Sequence, residues 1–140
     1  MKLTSDQMDR ACGVLLGQAC GDALGVPYEF ATPPRAGELA EMKGGGLGDY
    51  APGEWSDDTQ MAACIAQVSA TGAELTSDDA LDEVADCFLR WRSDGASDIG
   101  IQTSNVLAAA ERGSGHPGSR LTAAATTTPP ATCAVRATVH

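Results

Sequence analysis

Aromatic side chains are scarce in this chain, two each of Trp, Tyr and Phe making up 4% of 140 residues. Sandwiches and barrels draw on aromatic and β-branched residues to cover their pleated faces, so the shortage disfavours both. Basic residues are also few. Nine Lys and Arg against nineteen Asp and Glu leave a net charge of -10. Such a surface repels phosphate backbones and anionic lipid headgroups, and neither nucleic acid nor a membrane is an expected partner. No stretch approaches the ~20 apolar residues of a membrane span, and Met1 to Arg10 holds no apolar run of signal-peptide length, so the cytosol is the expected compartment. The two histidines offer little: His116 lies in a Gly-Ser-Gly-His-Pro-Gly loop, His140 is the last residue, and neither has a visible partner in sequence. Cys12, Cys20, Cys64, Cys87 and Cys133 form no CxxC pair, and reduced, buried thiols are expected, none marked out as a nucleophile.

What is present is alanine and helical periodicity. The apolar share is 43%, enough for one modest core, and it points to closely packed helices in an all-α fold. A first helix is predicted over Ser5 to Asp22, because Thr4 and Gln7 have capping-box spacing and Met8, Ala11, Val14, Leu15 and Cys20 share a face. Gly13, Gly17 and Gly21 recur every fourth residue on that helix, a spacing that admits close packing of another segment. From Gly25 to Gly53, prolines and glycines act against regular structure, and a loop this long is a place to look for ligand contacts. A second helix begins at Ser56, a good N-cap followed by two acids, with Met61, Ala62, Ile65 and Val68 on one stripe. A third has Thr76 or Ser77 as cap and Leu81, Val84, Ala85, Phe88 and Leu89 at helical spacing, leaving Asp82, Glu83, Asp86 and Arg90 on the wet side. A fourth is predicted over Ile99 to Arg112. From 113 to 140 a loop and a disordered tail are expected, since Ala123 to Thr138 has no period of either kind.

Ser56, Asp57, Asp58 and Thr59 place two carboxylates and two hydroxyls at a helix start, the hard oxygen donors that Mg²⁺, Mn²⁺ or Ca²⁺ prefer. Capping and the helix dipole favour the same residues, so the tetrapeptide alone does not decide between a helix start and a cation site. Its context adds to it. Gly21-Asp22-Ala23-Leu24-Gly25 comes first, then Pro27-Tyr28-Glu29-Phe30, then the Ser-Asp-Asp-Thr cluster, then Trp91 and Asp98-Ile99-Gly100.

This ordered set resembles the amino-terminal half of the ADP-ribosylglycohydrolase family over about Met8 to Arg112, and implies a helical bundle of orthogonal type. The resemblance implies that Ser56, Asp57 and Asp58 ligate a two-ion Mg²⁺ site, with Mn²⁺ as a substitute. It puts Glu29 beside that site as the catalytic carboxylate, and Asp98, with Gly100 and Asp22 less directly, at the substrate. The implied activity is hydrolysis of the glycosidic bond that joins ADP-ribose to a protein side chain, so the expected partner is an ADP-ribosylated protein or an ADP-ribose derivative.

The family's later motifs, a Gly-Asn-Gly loop and an Asp-x-Asp-Ser/Thr pair, do not occur. The bundle is therefore expected to be incomplete, weakly active or inactive alone, and prone to associate through uncovered apolar helix faces. One base of frame shift would turn a possible coding of Arg136 to His140 into Gly-Asn-Gly-Pro, which suggests a frameshift near Leu121 to Thr128. Two other readings remain at this stage: a non-catalytic, crystallin-like structural or binding protein on the same scaffold, and a plain acidic cation-binding helical domain.

Overall fold

The computed structural model of the chain describes residues 3–32 and 34–128. It is all-α, with five helices and no strand among the described residues. Helix α1 spans Ser5–Gly25 and opens with the predicted capping box: the Thr4 N–H donates to Gln7 Oε1 (2.9 Å) and the Gln7 N–H to Thr4 Oγ1 (3.3 Å). It continues into a 3₁₀ turn over Val26–Tyr28. Helices α2 (Asp57–Ala70), α3 (Asp78–Ser93), α4 (Ile101–Arg112) and α5 (Pro117–Thr127) follow. The Ser77 hydroxyl accepts from the Ala80 N–H and starts α3, so Ser77 rather than Thr76 is the cap.

Packing runs in series: α1 leans on α2, α2 on α3, and α5 lies against both α3 and α4. Small residues line the contacts. Ala80, Ala85, Ala110 and Ala124 are buried, as are Cys64, Val68 and Leu107, the last being the one large side chain fully enclosed among the described residues. Short side chains bring helix axes close, so the scarcity of aromatics and the abundance of alanine share one structural cause. The Trp91 indole N–H donates to Gln60 Oε1 (2.6 Å), joining α3 to α2, and Arg92 pairs with Glu111 (2.5 Å) across α3 and α4. The latter pair is partly exposed and contributes at most about 1 kcal/mol.

Helix α1 departs from its predicted environment. Its apolar stripe is not covered: Val14 is 68% and Met8 50% exposed, and nothing lies within 4 Å of where a Cβ would sit on Gly13, Gly17 or Gly21. The reason is that α1 docks through its C-terminal end, where Ala23 is buried, and its first turns meet none of the other described helices closely. The thiols are likewise more open than expected. Cys64 is buried, Cys87 is half-buried, and Cys12 and Cys20 on the open part of α1 are exposed.

The region after 113 differs most. Instead of loop and disordered tail, Pro117 to Thr127 form α5, with Pro at the helix start, where its fixed φ is an advantage. The Asp82 carboxylate of α3, expected on the wet side, accepts the Gly118 N–H (2.7 Å) and lies 3.3 Å from His116 Nδ1, the partner that the sequence did not reveal for His116. α5 packs on both α3 and α4, and the Asp82 contact at its start spans 36 residues of sequence. Residues 129–140, which carry Cys133, His140 and the frame-shifted reading, lie outside the described residues. Among the described residues no helix is long and apolar enough to cross a membrane.

Candidate active site

The C-terminal end of α1 and the first turn of α2 face each other through one carboxylate. Asp22 Oδ2 accepts the backbone N–H groups of Ser56 (3.0 Å) and Thr59 (3.0 Å), and Oδ1 accepts the Ser56 hydroxyl (2.6 Å). Ser56 occupies the N-cap position, as predicted, but its own side chain makes no capping bond. The cap comes instead from Asp22, 34 residues earlier. Burial pushes the Asp22 pKa up, but hydrogen bonds from Ser56 and Thr59 outweigh burial and hold it below the usual aspartate value. A second brace runs from Gln18, one helical turn before Asp22, whose Nε2 donates to the Asp58 carbonyl (3.1 Å).

These elements frame a cavity of about 520 Å³ lined by Gln18, Asp22, Glu29, Ser56, Asp57 and Asp58 among others. Glu29 enters from the residue after the 3₁₀ turn, and a glycine clamp fixes that turn. Gly46 (φ +67°) lies so close to Val26 that a Cβ would stand 2.6 Å from the Val26 carbonyl oxygen. Gly45 and Tyr50 exchange backbone hydrogen bonds of 2.7 and 2.8 Å, which fold the loop back on itself. Tyr50 is buried and its hydroxyl accepts from Ser97 Oγ (3.3 Å), one residue before Asp98. Burial raises the Tyr50 pKa; the Ser97 hydrogen bond opposes the rise, and the charges of Asp98, Asp57 and Asp22 add to it. Asp98 itself has a left-handed backbone (φ +57°), a conformation aspartate tolerates better than most residues. Phe30, next to Glu29, is also left-handed (φ +54°) and 83% exposed, and a bulky residue held there signals local strain.

The carboxylates repel one another. Burial first, then the charges of Asp98, Asp57, Asp58 and Asp22, raise the pKa of Glu29 above its usual value. Burial, then Asp57 and Asp22, do the same to Asp58. Neither ion pair found among the described residues reaches this group. The donors are hard oxygens of the kind a divalent cation takes, and the uncompensated charge fits one. The Thr59 hydroxyl is buried, close enough to Asp22 to lower its pKa, yet has no partner in good hydrogen-bond geometry. The spacing is looser than that of a finished cage: among the described residues no three His, Cys, Asp or Glu side chains are gathered for a metal ion.

Five of the residues singled out in the sequence therefore meet in one cavity: Asp22, Glu29, Ser56, Asp57 and Asp58. Asp98 is outside its lining but near enough for its charge to act on Glu29. Gly100 is the N-cap of α4 and is not part of the lining. Gln18 and the Tyr50–Ser97 contact escaped the sequence reading. Gln18 lies one helical turn from Asp22 on the same face, a signal that was readable, whereas Tyr50 and Ser97 are joined only by the fold.

The chain belongs to the ADP-ribosylglycohydrolase family, whose profile matches residues 3–139, and an acidic cavity between two helix ends on an all-α scaffold accords with that. Among curated proteins, it is 41% identical to an ADP-ribosylarginine hydrolase Tri1 of Pseudomonas putida (strain GB-1), over 75% of this chain and 29% of that protein. It is 37% identical to the protein of the same name in Serratia proteamaculans (strain 568), over 74% of this chain and 29% of the relative. An ADP-ribosyl-[dinitrogen reductase] glycohydrolase of Rhodospirillum rubrum is 36% identical over 66% of this chain and 31% of its own length. The chain thus spans about three tenths of the length of these relatives. No solved structure matches the chain.

Proposed function

We propose that the cavity is the cation and ribose site of a hydrolase that removes ADP-ribose from modified protein side chains. The observation that carries this reading is the convergence of Glu29, Ser56, Asp57 and Asp58 on one cavity, in a chain of this family. The names of two relatives favour arginine as the modified residue.

In this reading Ser56, Asp57 and Asp58 hold Mg²⁺, as a pair of ions, with Mn²⁺ able to replace it. When bound, the cation supplies Lewis acidity and brings the pKa of water toward neutrality. The chain's own residues do the rest. Asp57 and Asp58 present acceptors to the ribose side of the cavity, and Ser56 is held in register by Asp22. Glu29, with its raised pKa, takes a proton from the attacking water as the glycosidic bond lengthens toward an oxocarbenium-like state. Asp98 lies toward the modified side chain, where its charge complements a guanidinium, and Gly100 leaves room beside it. The bond from the anomeric carbon to the side-chain nitrogen breaks, the oxygen of the attacking water bonds to that carbon, and the proton held by Glu29 returns to the leaving nitrogen, so the products are ADP-ribose and the unmodified side chain.

Glu29 and Asp58, though partly desolvated, keep much of their surface open to solvent, and the ligands are not drawn together. Both features support weak cation binding and slow turnover by these residues alone. A crystallin-like, non-catalytic role finds no support: the named relatives are hydrolases, and the acidic set is intact. The test is calorimetric titration with ADP-ribose. Binding should appear with Mg²⁺ present, vanish with chelator, and vanish in Asp57→Asn; binding that ignores the cation would overturn the reading.

A further inference from the structure

We propose that Asp22 is a positioning residue of this site, which keeps Asp57 and Asp58 free for a ligand by capping the helix that carries them. The inference rests on the cation reading above and adds a role outside the ligand set. Both oxygens of Asp22 are occupied, Oδ2 by two backbone N–H groups and Oδ1 by the Ser56 hydroxyl. A carboxylate so engaged has little capacity left to coordinate an ion or touch a substrate.

The first turn of any α-helix has N–H groups that need acceptors, and carboxylates in that turn are the nearest candidates. In α2 those carboxylates are Asp57 and Asp58. Asp22 reaches across from α1 and accepts two of the N–H groups at this helix start, those of Ser56 and Thr59, so neither Asp57 nor Asp58 has to fold back onto them. It also accepts a hydrogen bond from the Ser56 hydroxyl, which leaves that oxygen's lone pairs for the cavity, and Ser56 is only 6% exposed, held in one place. Gln18 steadies the same turn through the Asp58 carbonyl.

The molecule contains its own control. Asp82 makes a comparable long-range anchor, its Oδ1 accepting the Gly118 N–H at the start of α5 (2.7 Å), and the cavity lining does not include it. Asp22→Asn and Asp82→Asn should therefore both lower the melting temperature, while only Asp22→Asn alters the site.

The experiment has two arms on the whole chain. Without metal, amide hydrogen exchange at Ser56 and Thr59 should accelerate in Asp22→Asn and stay unchanged in Asp82→Asn. With Mn²⁺, the free-ion electron paramagnetic resonance signal gives affinity; Asp22→Asn should weaken it by about 10- to 100-fold, the range typical when a residue that orients metal ligands is lost, and Asp82→Asn should not. Equal weakening in both variants reduces Asp22 to a stability role and overturns the proposal. So does faster exchange in Asp22→Asn with unchanged Mn²⁺ affinity. If the unmodified chain binds no Mn²⁺, the cation reading is what fails, and exchange alone then decides whether Asp22 caps α2.

Discussion

Gly46→Ala tests whether the loop clamp sets the position of Glu29. Gly46 has φ +67°, and an alanine there meets the left-handed penalty of roughly 1–2 kcal/mol. Its Cβ would also stand 2.6 Å from the Val26 oxygen, 3.0 Å from Val26 Cγ1 and 3.3 Å from the Val26 carbonyl carbon. Two of those three atoms are backbone, which cannot swing aside as a flexible side chain can. Relief requires the Val26 turn to move away, and Glu29 follows three residues later. Gly53→Ala is the matched reference, because Gly53 has φ +81° with nothing within 4 Å of its Cβ. Gly53→Ala should cost only the backbone penalty, and Gly46→Ala about 1–3 kcal/mol more, the usual range for forcing extra volume into a packed contact. Urea denaturation measures both. Mn²⁺ affinity, measured alongside, should fall for Gly46→Ala and stay constant for Gly53→Ala. Equal stability losses would show that the Gly46–Val26 contact carries no strain, and unchanged affinity in Gly46→Ala would separate the clamp from the site.

The pH dependence of stability should have two parts of opposite sign. Asp22 has a lowered folded pKa, so its stabilisation is present above the ordinary value of 3.8 and is lost as pH falls through its folded value. Glu29 has a raised folded pKa, so folding is relatively favoured below its ordinary 4.5, and that advantage is lost as pH rises through its folded value. Urea midpoints from pH 2 to 7 should therefore rise with Glu29→Gln at neutral pH and lose their acid dependence in part with Asp22→Asn; a neutral-pH midpoint that falls in Glu29→Gln contradicts the repulsion. Trp91→Phe removes the 2.6 Å indole bond to Gln60 and leaves that amide oxygen without its α3 partner, for a loss of about 1–3 kcal/mol in a thermal melt. An aromatic-disulfide thiol reagent should label Cys12 and Cys20 at once and Cys64 only on unfolding, as their exposure dictates; prompt reaction of Cys64 would mean that the α2–α3 contact opens.

Much of the fold was legible because it is written locally. Thr4 with Gln7, Ser77 ahead of two acids, and the stripe of α3 each announce a helix within a few residues of chain. The candidate site was legible for a different reason: its carboxylates lie in short motifs whose order and spacing carry the resemblance to a family, and five of the residues singled out line one cavity. What the sequence could not show is the long-range use of side chains. Ser56 reads as an N-cap, yet the acceptor is Asp22 from another helix. Asp82 reads as a solvated face, yet it holds the start of α5, a helix that reads in sequence as loop and tail. The stripe on α1 reads as buried because periodicity reports that a helix has an apolar face, while only packing decides whether the described structure covers it.

The central claim is that cations collect at one place on a chain whose net charge is -10. Paramagnetic broadening of backbone amide signals by substoichiometric Mn²⁺ tests it most directly. The account predicts that Ser56, Asp57, Asp58 and Glu29 broaden first, while the acidic start of α3 at Asp78 and Asp79 stays sharp until much more ion is added. Broadening that begins at α3, or that spreads evenly over the acidic surface, would contradict it.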